Sequence, residues 1–227
     1  MILYAIPTPL GAAPEEALPA PALHTIRALK DFAVENAKSA RAFLGGLGMP
    51  VRELSIQVLN DDVTALLGPL REGRALGLLS EAGCPAIADP GANLVEAAHR
   101  EGFRVMPLVG PSSIVLALMA SGLEGQRFAF CGYLPRDAAE RQRRIRELES
   151  RSRRERETQI FIETPYRSDT LVHALLEACG PQTRLCIAAD LTLPTESIAT
   201  RRVDQWRRGR PDIGRRPAVF LLLADAR

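Results

Sequence analysis

The feature that most constrains the fold is a buried-strand signal that runs into a loop unable to continue it. The apolar run Ala75 to Leu79 reads as a strand and is followed by Ser80-Glu81-Ala82-Gly83-Cys84-Pro85-Ala86-Ile87-Ala88-Asp89-Pro90-Gly91. Two glycines and two prolines in these twelve residues force tight turns and keep a helix from starting at once. Such a run fits an open α/β sheet, whose ligands collect beyond the carboxyl ends of its strands. A loop poor in large side chains lets main-chain N–H and C=O groups approach a ligand closely. Taken alone, the stretch also reads as a plain strand-to-helix connection, because Gly, Pro, Ser and Asp are ordinary turn residues.

The rest of the chain supplies the alternation that an α/β fold requires. Strands are expected at Ile2–Ile6, Phe32–Val34, Ala75–Leu79 and Arg104–Leu108, with helices around Ser39–Leu47, Asp62–Arg71 and Leu94–Glu101. That order implies parallel strands. The Ala/Pro-rich stretch Ala12 to Ala22 reads as an exposed loop that could cover a substrate. After Val109-Gly110-Pro111-Ser112-Ser113, an apolar helix is expected from Ile114 to Ser121, ending at Gly122. Later strands are expected at Phe128–Gly132, Gln159–Glu163, Arg184–Ala189, Glu196–Arg201 and Ala218–Leu223, with a helix from Ser168 to Ala178 closed by Gly180-Pro181. Strands cluster late, so this half should carry a mixed sheet. Two α/β domains follow, residues 1–113 and 114–227, a division that a chain of 227 residues can support. Phe128 and Phe130 alternate with Ala129 and Cys131 as a strand would, and are expected in the core; with Tyr133 they could also serve an interface.

Composition excludes several classes. The longest apolar runs, such as Ala218 to Ala224, are too short to span a bilayer. Met1 to Ile6 lacks the basic and apolar regions of a signal peptide, so a cytoplasmic protein is expected. Cys84, Cys131, Cys179 and Cys186 form no C-x-x-C pair, and His24, His99 and His173 are isolated, so neither a metal nor disulfides are expected. A net charge of +2 does not announce a nucleic-acid partner. The segment Arg136 to Glu157 says more, with nine arginines against six acidic residues. As a helix it would bury little beyond Ile145 and Leu148, and would project into solvent or rest on a partner. Arginine forks suit phosphate oxygens. The competing reading is a solvated helix laced with Glu/Arg pairs, in a chain that prefers Arg throughout and has only Lys30 and Lys38.

Six pieces stand in a telling order: Leu3-Tyr4-Ala5-Ile6-Pro7-Thr8-Pro9-Leu10-Gly11, Val34-Glu35-Asn36, Ser80 to Gly91, Gly110-Pro111-Ser112-Ser113, Gly132-Tyr133-Leu134-Pro135 and Ile162-Glu163-Thr164-Pro165-Tyr166-Arg167. Over nearly its whole length the chain resembles the tetrapyrrole methylase superfamily of S-adenosylmethionine (SAM) dependent methyltransferases. Within it, the resemblance is to the branch that methylates a ribose 2′-OH of 16S ribosomal RNA. It implies two α/β domains of the tetrapyrrole methylase type with the SAM cleft between them. Ribosomal RNA or the small ribosomal subunit would be the partner, S-adenosylhomocysteine the product, and a homodimer the assembly. The turn after the first strand, Pro7-Thr8-Pro9-Leu10-Gly11, is not the G-x-G-x-x-G of a dinucleotide site.

By that resemblance Ala82, Gly83, Cys84, Ile87, Ser112 and Ser113 would line the cofactor, joined by Ile162, Glu163, Leu191 and Pro217 from the second domain. Gly-Pro-Ser-Ser before an apolar run is also what a helix start looks like, and such a start offers N–H donors to a carboxylate. Glu35, after the strand Phe32–Val34, is the candidate proton acceptor for a hydroxyl nucleophile; a lone Glu there also reads as a cap or surface charge. Lys38, Arg143, Arg144 and Arg167 are the candidate substrate contacts. The chain departs from the rRNA branch on the substrate side. Gly11-Ala12 stands for Gly-Asn, and Glu35-Asn36-Ala37-Lys38 for Glu-Asp-Thr-Arg, whereas Cys84 for Thr leaves the backbone plan of the central loop intact. A methylase of a small molecule such as a tetrapyrrole, and a non-catalytic SAM-binding homologue, are the alternatives.

Overall fold

The computed structural model describes residues 1–225 and divides into two compact units, the second beginning at Ser113. The first unit contains β1 (Ile2–Ile6), α1 (Pro14–Ala17), α2 (Ala20–Arg27), β2 (Asp31–Val34), α3 (Ala37–Gly46), β3 (Ser55–Val58), α4 (Val63–Leu66), α5 (Gly68–Arg71), β4 (Leu76–Leu79), α6 (Ala92–Arg100) and β5 (Arg104–Pro107). The strands form a sheet in the order β3-β2-β4-β1-β5, and every pairing within it is parallel. One face packs Ile6, Phe32 and Val34 against Leu23, Ile26 and Leu44. The other packs Leu3, Ala33 and Leu78 against Leu70, Leu94 and Ala98. Both faces are covered, which is why β2 and β4 are buried at every residue and read as continuous rather than alternating apolar runs.

Three expectations for this unit need correction. The stretch Ala12 to Ala22 is not an exposed loop. It folds into α1 and the start of α2, each with a proline in its first turn, where the missing N–H costs nothing. Leu18 and Ala22 are buried there. The single helix expected over Asp62–Arg71 is two short ones meeting at Leu67, because Pro69 interrupts the continuous bonding ladder. The strand β3 was not expected at all. It is an edge strand of sequence Ser-Ile-Gln-Val, with three of its four residues exposed, so it gives almost no apolar signal.

The second unit contains α7 (Ser113–Ser121), β6 (Phe128–Tyr133), α8 (Ala138–Glu155), β7 (Thr158–Glu163), α9 (Ser168–Ala178), β8 (Arg184–Ala189), β9 (Ser197–Arg202), α10 (Val203–Arg208) and β10 (Ala218–Leu223). Its sheet, β6-β7-β10-β8-β9, is mixed. The β6/β7 pair is parallel and the remaining neighbours are antiparallel. Central β10 is wholly buried, and Phe161 stacks on Phe220 in the core, with ring centroids 6.1 Å apart. Phe128 departs from the expected core position. It lies on the edge strand β6 and is 45% exposed.

The arginine-rich segment does form a helix, but α8 does not project into solvent. It packs on α9, β7 and β10 through a stripe made of Arg141, Ile145, Leu148, Glu149 and Ser152. The polar members of that stripe satisfy main-chain groups of other elements. Arg141 donates to the carbonyls of Pro135 and Arg136, Glu149 accepts the N–H of Gly180 at 2.7 Å, and Ser152 Oγ accepts the N–H of Ala224 at 3.0 Å. Among the described residues no helix is long and apolar enough to cross a membrane.

Candidate functional site

In a parallel sheet all carboxyl ends lie on one edge. Here Ile6, Val34 and Leu79 stand in register, so the segments after β1, β2 and β4 emerge side by side. Thr8 and Gly83 exchange main-chain hydrogen bonds of 2.8 and 3.0 Å, tying the first turn to the central loop. Thr8 Oγ1 also donates to the carbonyl of Ser80. Gly83 sits at φ +75°, a conformation that a side chain resists, and the Cys84 thiol donates to the carbonyl of Pro111 at 3.5 Å. Gly110 is packed against the first turn so tightly that an added Cβ would overlap Pro7 and lie 2.9 Å from Leu18 Cδ2. The loops after β1, β4 and β5 thus form one layer of main chain with small side chains.

Strain is concentrated in the same layer. Ala86 and Ala88 both adopt φ +66°. Each such residue costs about 1–2 kcal/mol relative to an ordinary conformation. Between them Ile87 stands 52% exposed, an apolar side chain with water on it. The loop then ends at α6, with its capping residue Gly91 at φ +126°.

Three carboxylates share this edge. Glu35 Oε2 accepts the N–H of Glu81 at 3.0 Å, and the Glu35 N–H donates to the carbonyl of Leu79. Burial pushes the Asp89 carboxyl above its usual range, the charges of Glu35 and Glu81 add to that, and a hydrogen bond from Ser80 opposes it. Burial followed by the Asp89 charge raises the Cys84 thiol, so Cys84 is no thiolate nucleophile at neutral pH. Asn36 caps α3 by accepting the N–H of Lys38 at 2.8 Å, which leaves Lys38 exposed in the first helical turn.

The second unit gathers its own set. Glu163, Ala218 and Ala189 lie in one row across β7, β10 and β8, so Ile162, Glu163, Leu191 and Pro217 converge on one sheet edge. The Glu163 carboxylate is 1% exposed. It accepts the N–H of Thr164 at 2.7 Å and pairs with Arg167, which also donates to the carbonyl of Leu134. Asp190 and Thr192 take φ +52° and +71°, flanking buried Leu191, and the Asp190 N–H donates to the carbonyl of Pro217. Tyr166 is 78% exposed, with the Arg215 guanidinium 5.2 Å from its ring centroid.

A family model described as Tetrapyrrole (Corrin/Porphyrin) Methylases matches residues 13–206. The chain belongs to this family. Among the relatives of this methylase is a protein of Vibrio cholerae serotype O1 named Ribosomal RNA small subunit methyltransferase I, 32% identical over 87% of this chain and 67% of its own length. A protein of the same name from Escherichia coli O157:H7 is 32% identical over 86% and 67%, and one from Mesorhizobium japonicum is 34% identical over 87% and 66%. The chain spans about two thirds of the length of these relatives. Two solved structures share its fold. The methyltransferase CobJ has a TM-score of 0.64 at 19% identity, covering 98% of this chain and 93% of its own. Uroporphyrin-III-C-methyltransferase from Thermus thermophilus has a TM-score of 0.56 at 21% identity, covering 98% and 94%.

Of the residues singled out in the sequence of this methylase, Ala82, Gly83, Cys84, Ile87 and Glu35 stand at the carboxyl edge of the parallel sheet, with Ser112 at the end of the segment that follows β5. Ile162, Glu163, Leu191 and Pro217 share the edge of the mixed sheet, and Ser113 opens α7. Arg167 sits beside Glu163, whereas Arg143 and Arg144 lie on α8. Sequence reasoning missed Glu81 and Asp89, although both stand in the loop Ser80 to Gly91. The signal that could have found them was the coincidence of two carboxylates after β4 with a third after β2.

Proposed function

We propose that the chain is a SAM-dependent methyltransferase acting on a ribose 2′-OH of small-subunit ribosomal RNA. The observation that carries this reading is the identity of 32–34% over 86–87% of the chain with proteins named as small-subunit rRNA methyltransferases. The loops fit the cofactor that the family implies. Ala82, Gly83 and Cys84 present main chain with little side-chain bulk, and Ile87 offers an apolar surface that a ligand would take out of water. Ser112 would join them, and in the second unit Ser113, Ile162, Glu163, Leu191 and Pro217 remain the candidate cofactor residues. When bound, SAM supplies a methyl group already activated by a sulfonium, and the product is S-adenosylhomocysteine.

The protein's share of the work is orientation and the handling of one proton. Glu35 is the proposed acceptor. Its Oε2 is held by the N–H of Glu81, which fixes the carboxylate so that Oε1 would take the proton of the ribose hydroxyl when its oxygen gains the methyl group released from the sulfonium. The Glu163–Arg167 pair orients the segment after β7. Lys38, Arg143 and Arg144 would meet phosphate. The test is transfer of labelled methyl from SAM to small ribosomal subunits and to naked 16S rRNA, with nuclease digestion to locate the label on a ribose. Label on a porphyrinogen and none on RNA would replace this reading with the small-molecule one. Absence of transfer to any acceptor would refute both.

A further inference from the structure

The outward face of α8 is not the charge-balanced surface that its composition allowed. Its inward stripe is anchored, so the opposite side chains project from one fixed helix face. Arg143, Arg146, Glu147, Ser150, Arg151 and Arg154 line one shallow groove, at helical offsets of 0, 3, 4, 7, 8 and 11 residues. With the adjacent Arg144 and the paired Glu155 and Glu157 counted in, five arginines face three glutamates, so this one face carries a formal excess of positive charge as large as the +2 of the entire chain. Glu147 is shared by Arg143 at 3.8 Å and Arg144 at 3.2 Å, so it cannot neutralise both. Arg151 pairs with Glu157 and Arg154 with Glu155, contacts at the C-terminal end of the helix; Arg143 is 71% and Arg154 67% exposed. At 1.5 Å per residue the row from Arg143 to Arg154 is about 16 Å long.

We infer that this face of α8 is a docking track for an RNA backbone. The inference rests on the rRNA reading above and adds where, outside the sheet edge, the nucleic acid is held. The helix follows directly from β6, whose last residue Tyr133 pairs with Ile162, so its N-terminal end leaves from the edge carrying Glu163 and Arg167. The row therefore leads away from that edge for a length that several successive phosphates can follow. Arginine suits the task because its planar fork binds phosphate oxygens in pairs and keeps its charge at any working pH. The groove is open and rimmed by charged side chains, with no aromatic side chain in its lining, so it reads charge and not base identity.

The experiment is the salt dependence of RNA affinity for the full chain and for a triple variant, Arg143→Gln, Arg146→Gln and Arg154→Gln. These substitutions leave the inward stripe intact, and thermal melting checks the fold. The probes are a 16S rRNA transcript and a random-sequence single-stranded 20-mer. The expected result is at least a tenfold weaker Kd on both probes at low salt. The slope of log K against log salt should fall by about two to three, roughly one per arginine. SAM affinity, read by calorimetry, should be unchanged. If the wild type binds or methylates RNA while the variant keeps its affinity and slope, the track is wrong and the rRNA reading stands. If α8 meets an acidic protein instead, the variant also leaves RNA binding unchanged, and the track is wrong in that case too. Wild-type protein that neither binds nor methylates RNA overturns the rRNA reading and the track with it.

Discussion

Replacing Gly110 by alanine tests whether the three loops of the first unit act as one layer. An added Cβ would overlap the Cβ of Pro7 and lie 2.8 Å from its Cγ and 2.9 Å from Leu18 Cδ2. Carbon atoms rest at about 3.5–4.0 Å, so the loop must retreat by about 1 Å. Pro7 cannot yield alone, since the next residue is bonded at both main-chain atoms to Gly83. Overpacking of this kind costs about 1–3 kcal/mol, or roughly 2–12 °C of melting temperature in a protein of this size. A displacement near 1 Å in a positioning loop costs up to about a hundredfold in function. We therefore expect Gly110→Ala to bind SAM at least about tenfold more weakly by calorimetry and to melt several degrees lower. Gly125→Ala is the control, because an added Cβ there meets nothing within 4 Å. If Gly110→Ala keeps both its melting temperature and its SAM affinity within twofold of wild type, the layer does not position a ligand.

Three further outcomes follow from the same geometry. Glu35→Gln keeps an oxygen to accept the Glu81 N–H, so SAM affinity should hold within about twofold while methyl transfer falls by about a hundredfold or more; full activity removes Glu35 from the reaction. The raised Asp89 carboxyl binds its proton more tightly in the folded than in the unfolded chain, so ionised Asp89 opposes folding at neutral pH and this penalty disappears as pH falls below the ordinary Asp value. Asp89→Asn should accordingly melt higher than wild type at pH 7 and equal to it near pH 3, and equal melting at both values would contradict the shift. Glu149→Ala strips the carboxylate that accepts both the Gly180 N–H and the Thr183 hydroxyl; a loss of about 3 kcal/mol or more should lower the melting of the second unit by about 6–12 °C, and a change under 2 °C would show that these bonds contribute little.

What the sequence revealed, and what it hid, divides along burial. Strands β4 and β10 are buried at every position, so their apolar runs announce them. Edge strand β3 packs only part of one residue, Ile56, and its polar letters carry no such signal. The helix α8 was legible as a helix but not as a packed one. Its buried face uses Arg141, Glu149 and Ser152, whose partners lie 4 to 72 residues away and are mostly main-chain groups that no side-chain pattern encodes. Prolines misled at α1 and α2, where they open helices instead of breaking them. At the candidate site the loop Ser80 to Gly91 was legible because its Gly and Pro content restricts the backbone. The carboxylate group of Glu35, Glu81 and Asp89 was not, because it exists only once β2 and β4 lie side by side. The pairing of Glu163 with Arg167 could have been read from their spacing of four, had the turn after β7 been recognised as helical.

Calorimetric titration of the purified protein with SAM, and separately with S-adenosylhomocysteine, tests the central claim most directly. Saturable binding of both, near one site per chain, is the result that a SAM-dependent methylase requires. Folded protein that shows no binding of either would contradict the assignment of these loops to the cofactor and, with it, the proposed transfer to ribosomal RNA.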